Sequence, residues 1–447
     1  MIHTSRFFLA AFFAASVSGQ TPVTLEWCVK KALDGNPGMR IAITETRAAE
    51  EDARQASASF LPSVDASGSY RKQSMVPKID MSPIQLPFGG ISFSPFPEGG
   101  LSLGMRDTYD FRVTLSQPIF TGFRLIQRKR IADAVSAAKR MEEIQKRNEL
   151  IQKVETAFGN VLKAKKVLEI AESGREQVAS HLQDVGRFYR QGMVKKDELL
   201  KAGVKMTEAD LNALQAANGV KLAFVFLDNA VGRALPSDAV FEWTASSVPS
   251  GNLETSLQSA LARRPEPEAV RQAKTAAEAG MGIARGGYFP SVAAFGMVGY
   301  GKPGLDLIGK KWMDYWIVGV GAEWNLWNWG KTRSLAQQAS MKTAGLVETE
   351  RQVRDAVVLE VTQTFLRLDE AQKRLELTDR MQEQSRESFR VAENLYKQGQ
   401  SSHIEFFDAQ SEWTRAQLAR AQAEIDLMVA QANWRKAVGE NGNVYPH

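Results

Sequence analysis

Residues 32–68 align without a gap onto residues 260–296, and this self-similarity constrains the fold of the 447-residue chain more than any other feature. At this shift of 228, Ala32-Leu33 falls on Ala260-Leu261, Pro37 on Pro265, Ala48-Ala49 on Ala276-Ala277, Pro62-Ser63-Val64 on Pro290-Ser291-Val292 and Gly68 on Gly296. Farther along the shift is 207: Tyr189 meets Tyr396, Gln191-Gly192 meets Gln398-Gly399, Glu198 meets Glu405, and Ala230-Val231-Gly232 meets Ala437-Val438-Gly439. The 21-residue difference sits in one stretch, Met75 to Met105, rich in Pro, Gly, Ser and Phe. That stretch reads as a long loop in the first copy and a short one in the second. Length alone suggests about three domains. The repeat instead divides the chain into two copies of one unit, 20–232 and 257–441, joined by 233–256 and followed by a short tail, 442–447.

Proline placement divides each copy. All 16 prolines lie outside 119–235 and 304–445, which leaves uninterrupted stretches of 117 and 142 residues. Proline breaks helix interiors, so these are the places for long helices. Within them apolar residues recur at spacings of three and four: Ile151, Val154, Phe158, Val161 and Leu168, then Val358, Val361, Phe365, Leu368 and Leu375. This is coiled-coil-like periodicity. A helix from Arg124 to Arg190 would run roughly 100 Å at 1.5 Å per residue. Gly192 then turns the chain, and a second helix returns from about Lys195 to Val231. The same hairpin recurs around Gly399, giving helical hairpins over 124–231 and 331–438.

The segments before the long helices alternate instead. Tyr109, Phe111, Val113 and Leu115 share one face, with Asp110, Arg112, Thr114 and Ser116 on the other. Val64, Ala66, Gly68 and Tyr70 alternate with Asp65, Ser67, Ser69 and Arg71. Trp316, Val318, Val320, Ala322 and Trp324 share a face opposite a less polar one. Strands are expected at about 62–72, 109–120, 290–301 and 315–326. Such strands suit either a transmembrane barrel or a hairpin on a soluble core. Four cannot close a barrel, because the smallest membrane barrels have eight. Open edges are not tolerated in lipid, so a barrel requires several chains.

Residues 1–19 read as a secretory signal: His3 and Arg6, the apolar run Phe7–Ala15, then small residues Ser16–Gly19. Cys28, the one cysteine, follows Leu25-Glu26-Trp27 and not the small residues that lipidation needs, so export without a lipid anchor is expected. Beyond the signal there is no run of 18 apolar residues, hence no helical span. The net charge of +5 is dispersed among acids, which argues against nucleic acid. The four histidines, His3, His181, His403 and His447, lie far apart in sequence and form no metal box. Met75, Met81 and Met105, spread through one loop, do not make a metal site either. No cofactor is expected. There is no GxSxG, Walker loop or nucleophilic triad, and catalysis is not expected.

The first copy carries Leu25-Glu26-x-Cys28-x-x-x-Ala32-Leu33-x-x-Asn36-Pro37, Phe60-Leu61-Pro62-Ser63-Val64 and Ser116-Gln117-Pro118-Ile119-Phe120-x-Gly122. The second carries Trp324-x-Leu326-x-x-x-Gly330 and Leu395-Tyr396-x-x-Gly399 followed by Asp408-Ala409-Gln410. In this ordered set the chain resembles the TolC-type outer membrane efflux protein family over essentially its whole length after the signal. The resemblance implies an α+β membrane protein, a homotrimer in which each chain lends four strands to one twelve-stranded outer membrane β-barrel. Below the barrel, long helices form a coiled-coil tunnel in the periplasm. It also implies work with a periplasmic adaptor (membrane fusion) protein and an inner membrane pump of RND, ABC or MFS type, as an efflux or type I secretion exit duct.

The resemblance assigns the gate as well. The family's constriction acids match Glu405 and Asp408, and a spacing of three places both on one helix face. Three copies would ring a pore with acids that hold cations. The family's gate-locking Tyr and Asp match Tyr396 and Glu198, whereas its Arg position holds Ser401. Lys195, Lys196 and Lys201 are the nearby cations that could replace that Arg. The adaptor-contacting tips match Gln191-Gly192-Met193 and Gln398-Gly399-Gln400. The rival reading is a periplasmic adaptor, a coiled-coil structural protein of an export complex. It predicts one helical hairpin between β-rich domains, where this chain shows two.

Overall fold

The computed structural model describes residues 23–79, 84–85, 92–93, 101–235, 241–242 and 252–440. The predicted signal 1–19, the tail 442–447, Met81 and most of the inter-repeat segment lie outside the described residues.

In chain order, β1 (Val23–Thr24) precedes α1 (Leu25–Gly35), α2 (Pro37–Ala58) and β2 (Ser63–Lys72). The long loop carries β3 (Lys78–Ile79), β4 (Ile84–Gln85), β5 (Ser92–Phe93) and β6 (Leu101–Ser102), before β7 (Asp107–Phe120), α3 (Arg124–Arg190) and α4 (Lys196–Val231). Then follow β8 (Phe241–Glu242), α5 (Leu253–Arg263), α6 (Pro265–Gly286), β9 (Ser291–Lys302), β10 (Met313–Glu323), α7 (Lys331–Lys397) and α8 (His403–Val438). Helices recur in matched lengths: α1 and α5 have 11 residues, α2 and α6 have 22, α3 and α7 have 67, and α4 and α8 have 36. The first-copy loop is not featureless, because β3 pairs with β6 and β4 with β5, both antiparallel. Strand β10 ends at Glu323, so Trp324 and Leu326 lie beyond it.

The chain forms two compact units, and each draws on both sequence copies. The first comprises Met1–Ile43, Glu142–Glu266 and Val353–His447. In one of its cores Ile151, Val154, Phe158 and Val161 of α3 are fully buried against Leu227 and Val231 of α4 and Cys28 and Ala32 of α1. Burial pushes the Cys28 thiol up to about 12, which leaves it an inert core group. The second core sets Val357, Val361 and Leu368 of α7 against Trp434 and Val438 of α8 and Ala260 of α5. Here the seam begins at Val357, 2% exposed, and not at Val358, 37% exposed. Both are apolar, so spacing alone could not choose between neighbours one residue apart.

The second unit comprises Thr44–Met141 and Pro267–Gln352. Its antiparallel sheet has the order β10-β9-β7-β2. The register sets Ala66, Val113, Val298 and Trp316 in one row across all four strands, with Val64, Leu115, Gly296 and Val318 in the next apolar row. This face is uncovered: Val113, Val298, Trp316 and Val318 are all exposed. On the other face the Tyr315 hydroxyl donates to Asp110 Oδ1 at 2.6 Å, and Arg112 pairs with the same carboxylate. Aromatic clusters stand at both strand ends. Tyr70, Tyr109, Trp312 and Tyr300 form one chain of rings, with centroids 4.9, 5.6 and 5.0 Å apart. Phe120, Phe123 and Phe289 form the other, at 5.3 and 5.7 Å. Among the described residues no helix is long and apolar enough to cross a membrane.

Candidate functional site

The residues singled out in the sequence converge at the turns joining α3 to α4 and α7 to α8. Both turns have the same backbone. Gly192 N donates to Tyr189 O at 3.0 Å and Met193 N to Phe188 O at 2.9 Å; Gly399 N donates to Tyr396 O and Gln400 N to Leu395 O, both at 2.9 Å. The glycines adopt φ of 74° and 70°, and nothing lies within 4 Å of where a Cβ would stand. Conformation, not space, therefore demands glycine. Gln191, Met193, Gln398 and Gln400 are all exposed around the turns.

The starts of the returning helices differ. Lys195 caps α4 without a side-chain bond. Ser402 caps α8 in a reciprocal box: Glu405 N donates to Ser402 Oγ at 3.3 Å, and Ser402 N donates to Glu405 Oε2 at 3.1 Å. The Ser401 hydroxyl donates to the same carboxylate oxygen at 2.6 Å. Those hydrogen bonds, Ser401's first, hold the Glu405 carboxyl below its ordinary range. Ser401, at the family's Arg position, is thus tied to one of the proposed gate acids. Asp408 is exposed and makes no hydrogen bond or ion pair among the described residues. Glu405 and Asp408 share the outer face of α8, while Phe406 and Phe407 between them are buried.

Under that face lies a small core of Val178, Phe406 and Phe407, with Met206, Ala209, Phe389 and Tyr396 packed around it. Tyr396 meets the His181 ring at 5.0 Å and Phe406 at 5.3 Å. Its hydroxyl makes no hydrogen bond among the described residues, and Glu198 reaches it only through its charge. Burial first, then Glu198 and Asp184, push the Tyr396 hydroxyl above its ordinary value.

Sequence reasoning missed the contact at the centre of this core. His181 of α3 and His403 of α8, 222 residues apart, are joined by a hydrogen bond of 2.8 Å between Nε2 of the first and Nδ1 of the second. Their separation in sequence suggested no relation, and the fold removes it. His181 is 4% exposed and stacks on Phe406 with centroids 4.5 Å apart. Burial, and then His403, push its pKa down to about 4. Burial likewise lowers His403.

This architecture has known counterparts. The model of the outer membrane efflux protein family matches residues 28–233 and 256–440, and the chain belongs to that family. The solvent efflux pump outer membrane protein SrpC of Pseudomonas putida is 25% identical over 237 residues, covering 53% of this chain and 47% of SrpC. The chain thus spans about half the length of the curated relatives it matches. The Campylobacter jejuni CmeC outer membrane channel shares the fold with a TM-score of 0.78 at 17% identity, over 93% of this chain and 85% of that one. VceC of Vibrio cholerae, an outer membrane protein, does so with a TM-score of 0.76 at 16% identity, over 93% and 96%. The family is one of transport proteins of the outer membrane, which sets aside the adaptor reading.

Proposed function

We propose that the chain is the outer membrane channel of a tripartite efflux or type I secretion assembly, a passive duct gated at the helix turns. The observation that carries this reading is the sheet: an apolar face running across all four strands that nothing among the described residues covers, with aromatic rings at both ends. Aromatic girdles flanking an apolar band are what a lipid bilayer selects in a barrel. Among the described residues the edge strands β10 and β2 each pair on one side only, with β9 and β7. In lipid each must find a partner, and three chains of four strands close a twelve-stranded barrel.

The helices support the same assembly. On α4, Leu200, Val204, Leu211, Leu214, Leu222 and Val225 are exposed at helical spacing, away from the buried Ala202, Ala213, Ala216, Ala223 and Leu227. A groove of about 840 Å³ between α3, α4 and α8, lined by Val167, Ala216, Phe226, Phe407 and Leu418 among others, is also uncovered. A neighbouring copy's helices would fill both. The two repeats, 20–232 and 257–441, each supply two strands and one helical hairpin to the homotrimer. Exported by the signal 1–19, the trimer sits in outer membrane lipid and reaches into the periplasm. There Gln191-Gly192-Met193 and Gln398-Gly399-Gln400 meet the adaptor, and an inner membrane pump delivers substrate.

Glu405 and Asp408 form the constriction, six carboxylates in the trimer, with Tyr396, Glu198 and Ser401 around it. The test is conductance of the reconstituted protein in planar bilayers. Replacing both acids with Ala should raise single-channel conductance and weaken block by divalent cations. Unchanged conductance and block would remove the pair from the constriction.

A further inference from the structure

The family's Arg is absent at Ser401, yet a different contact joins the two hairpins at the same place. His181 sits on α3 of the first hairpin and His403 opens α8 of the second. Their ring nitrogens face each other at 2.8 Å, so one must donate and the other accept. Protonating both would set two N–H groups against each other across that distance. His403 Nε2 is buried without a hydrogen-bond partner, so a proton there has no acceptor. The Phe406 and Phe407 rings, at 4.5 and 4.9 Å from His181, keep water away.

We propose that the His181–His403 hydrogen bond is a proton-sensitive latch that holds the two hairpin tips together at neutral pH and releases them on acidification. The proposal rests on the gate reading above and adds its regulation.

The surrounding charges leave the pair in control. Asp184 on α3 draws His181 toward protonation but is itself paired with Arg187. On α4, Glu198 and Lys201 act on His403 with opposite signs, and Lys201 is bound to Asp197 at 2.6 Å. Tyr396 on α7 stays neutral throughout. The sign follows from linkage. A histidine whose pKa is lowered in the closed state favours closure fully above its ordinary value of 6.5, and that preference is lost as pH falls toward about 4. Separated tips, with ordinary histidines, bind the extra protons. Between pH 8 and pH 5 the balance shifts toward separation by about 30-fold per chain from His181 alone.

The experiment is single-channel conductance of the reconstituted full chain between pH 8 and pH 5, on wild type, H403F and the double variant H181Q/H403N. In the double variant either side-chain amide can donate and the other accept, so a neutral hydrogen bond remains whichever ring donates in the wild type. Wild type should open as pH falls. H403F should be open already at pH 8, and H181Q/H403N should stay closed across the range. The mass of each detergent-solubilised variant should match wild type, which excludes misassembly as the cause. A double variant that keeps the wild-type pH response, or an H403F channel that stays closed at pH 8, overturns the latch. If the Glu405/Asp408 variant described above alters block while the histidine variants do nothing, the gate stands and the latch alone falls. If neither set changes conductance, the gate reading falls with it.

Discussion

Asn36 and Arg264 hold the same place in the two halves of the chain and do the same job with different chemistry. Each is the C-cap of an 11-residue helix, and each reaches the end of the returning helix of its own half. Asn36 Nδ2 donates to Ala230 O at 2.9 Å, and Arg264 Nη1 to Ala437 O at 3.5 Å. The first joint is a neutral amide contact, with Lys153 and Asn229 bonded beside it at 3.1 Å. The second is a charged network. Arg264 forks onto Glu266 at 3.1 and 2.7 Å and onto Glu360 at 2.6 Å, with Lys436 at 3.4 Å from Glu360. Repetition thus conserves where the helices are tied and not how. An ionic tie answers to pH and to loss of one partner far more than an amide does.

That contrast can be broken at graded cost. The largest effect should follow Arg264→Met, which strands the mostly buried Glu266 and leaves Glu360 with Lys436 alone. A loss of about 3 kcal/mol is expected by denaturant unfolding, the lower end for a broken buried pair because Lys436 remains. Asn36→Ala removes one neutral hydrogen bond and should cost about 1 kcal/mol. Equal losses would show that the charges add nothing to the second joint.

The pH response sharpens the same comparison. Burial opposes ionisation of Glu360, but Arg264 and Lys436 outweigh it and hold its pKa below the ordinary value. The stability this carboxylate contributes is therefore present above pH 4.5 and lost as pH falls through its lowered pKa. Acid unfolding should be less steep in Arg264→Met than in wild type, and unaltered in slope by Asn36→Ala.

The smallest contrast lies at the starts of the returning helices. Ser402→Ala removes a capping box and should cost about 1 kcal/mol. Lys195→Ala, at a cap with no side-chain bond, should stay within about 0.5 kcal/mol.

The two-copy plan was legible because repeats leave fixed offsets, and the helices because Arg124–Arg190 and Lys331–Lys397 contain no proline. Strand faces were legible from alternation at Tyr109–Ser116. Less was visible where one pattern serves two purposes. The spacing of Glu405 and Asp408 marks a shared face, but Ser402-x-x-Glu405 is also a capping-box pattern, and the structure engages Glu405 through it. The histidine pair left no trace at all. His181 aligns with Ser388 and His403 with Lys196, so the repeat points to neither, and only packing of α3 against α8 brings them together. The short ladders of the 75–105 loop were hidden by two-residue strands too brief to show a period.

In lipid, a four-stranded sheet whose two edges find no partner strand among the described residues cannot stand alone. The mass of the intact protein in detergent shows whether other chains supply those partners. A species of three chains is the predicted result. A monodisperse monomer that still conducts ions after reconstitution would contradict the shared barrel.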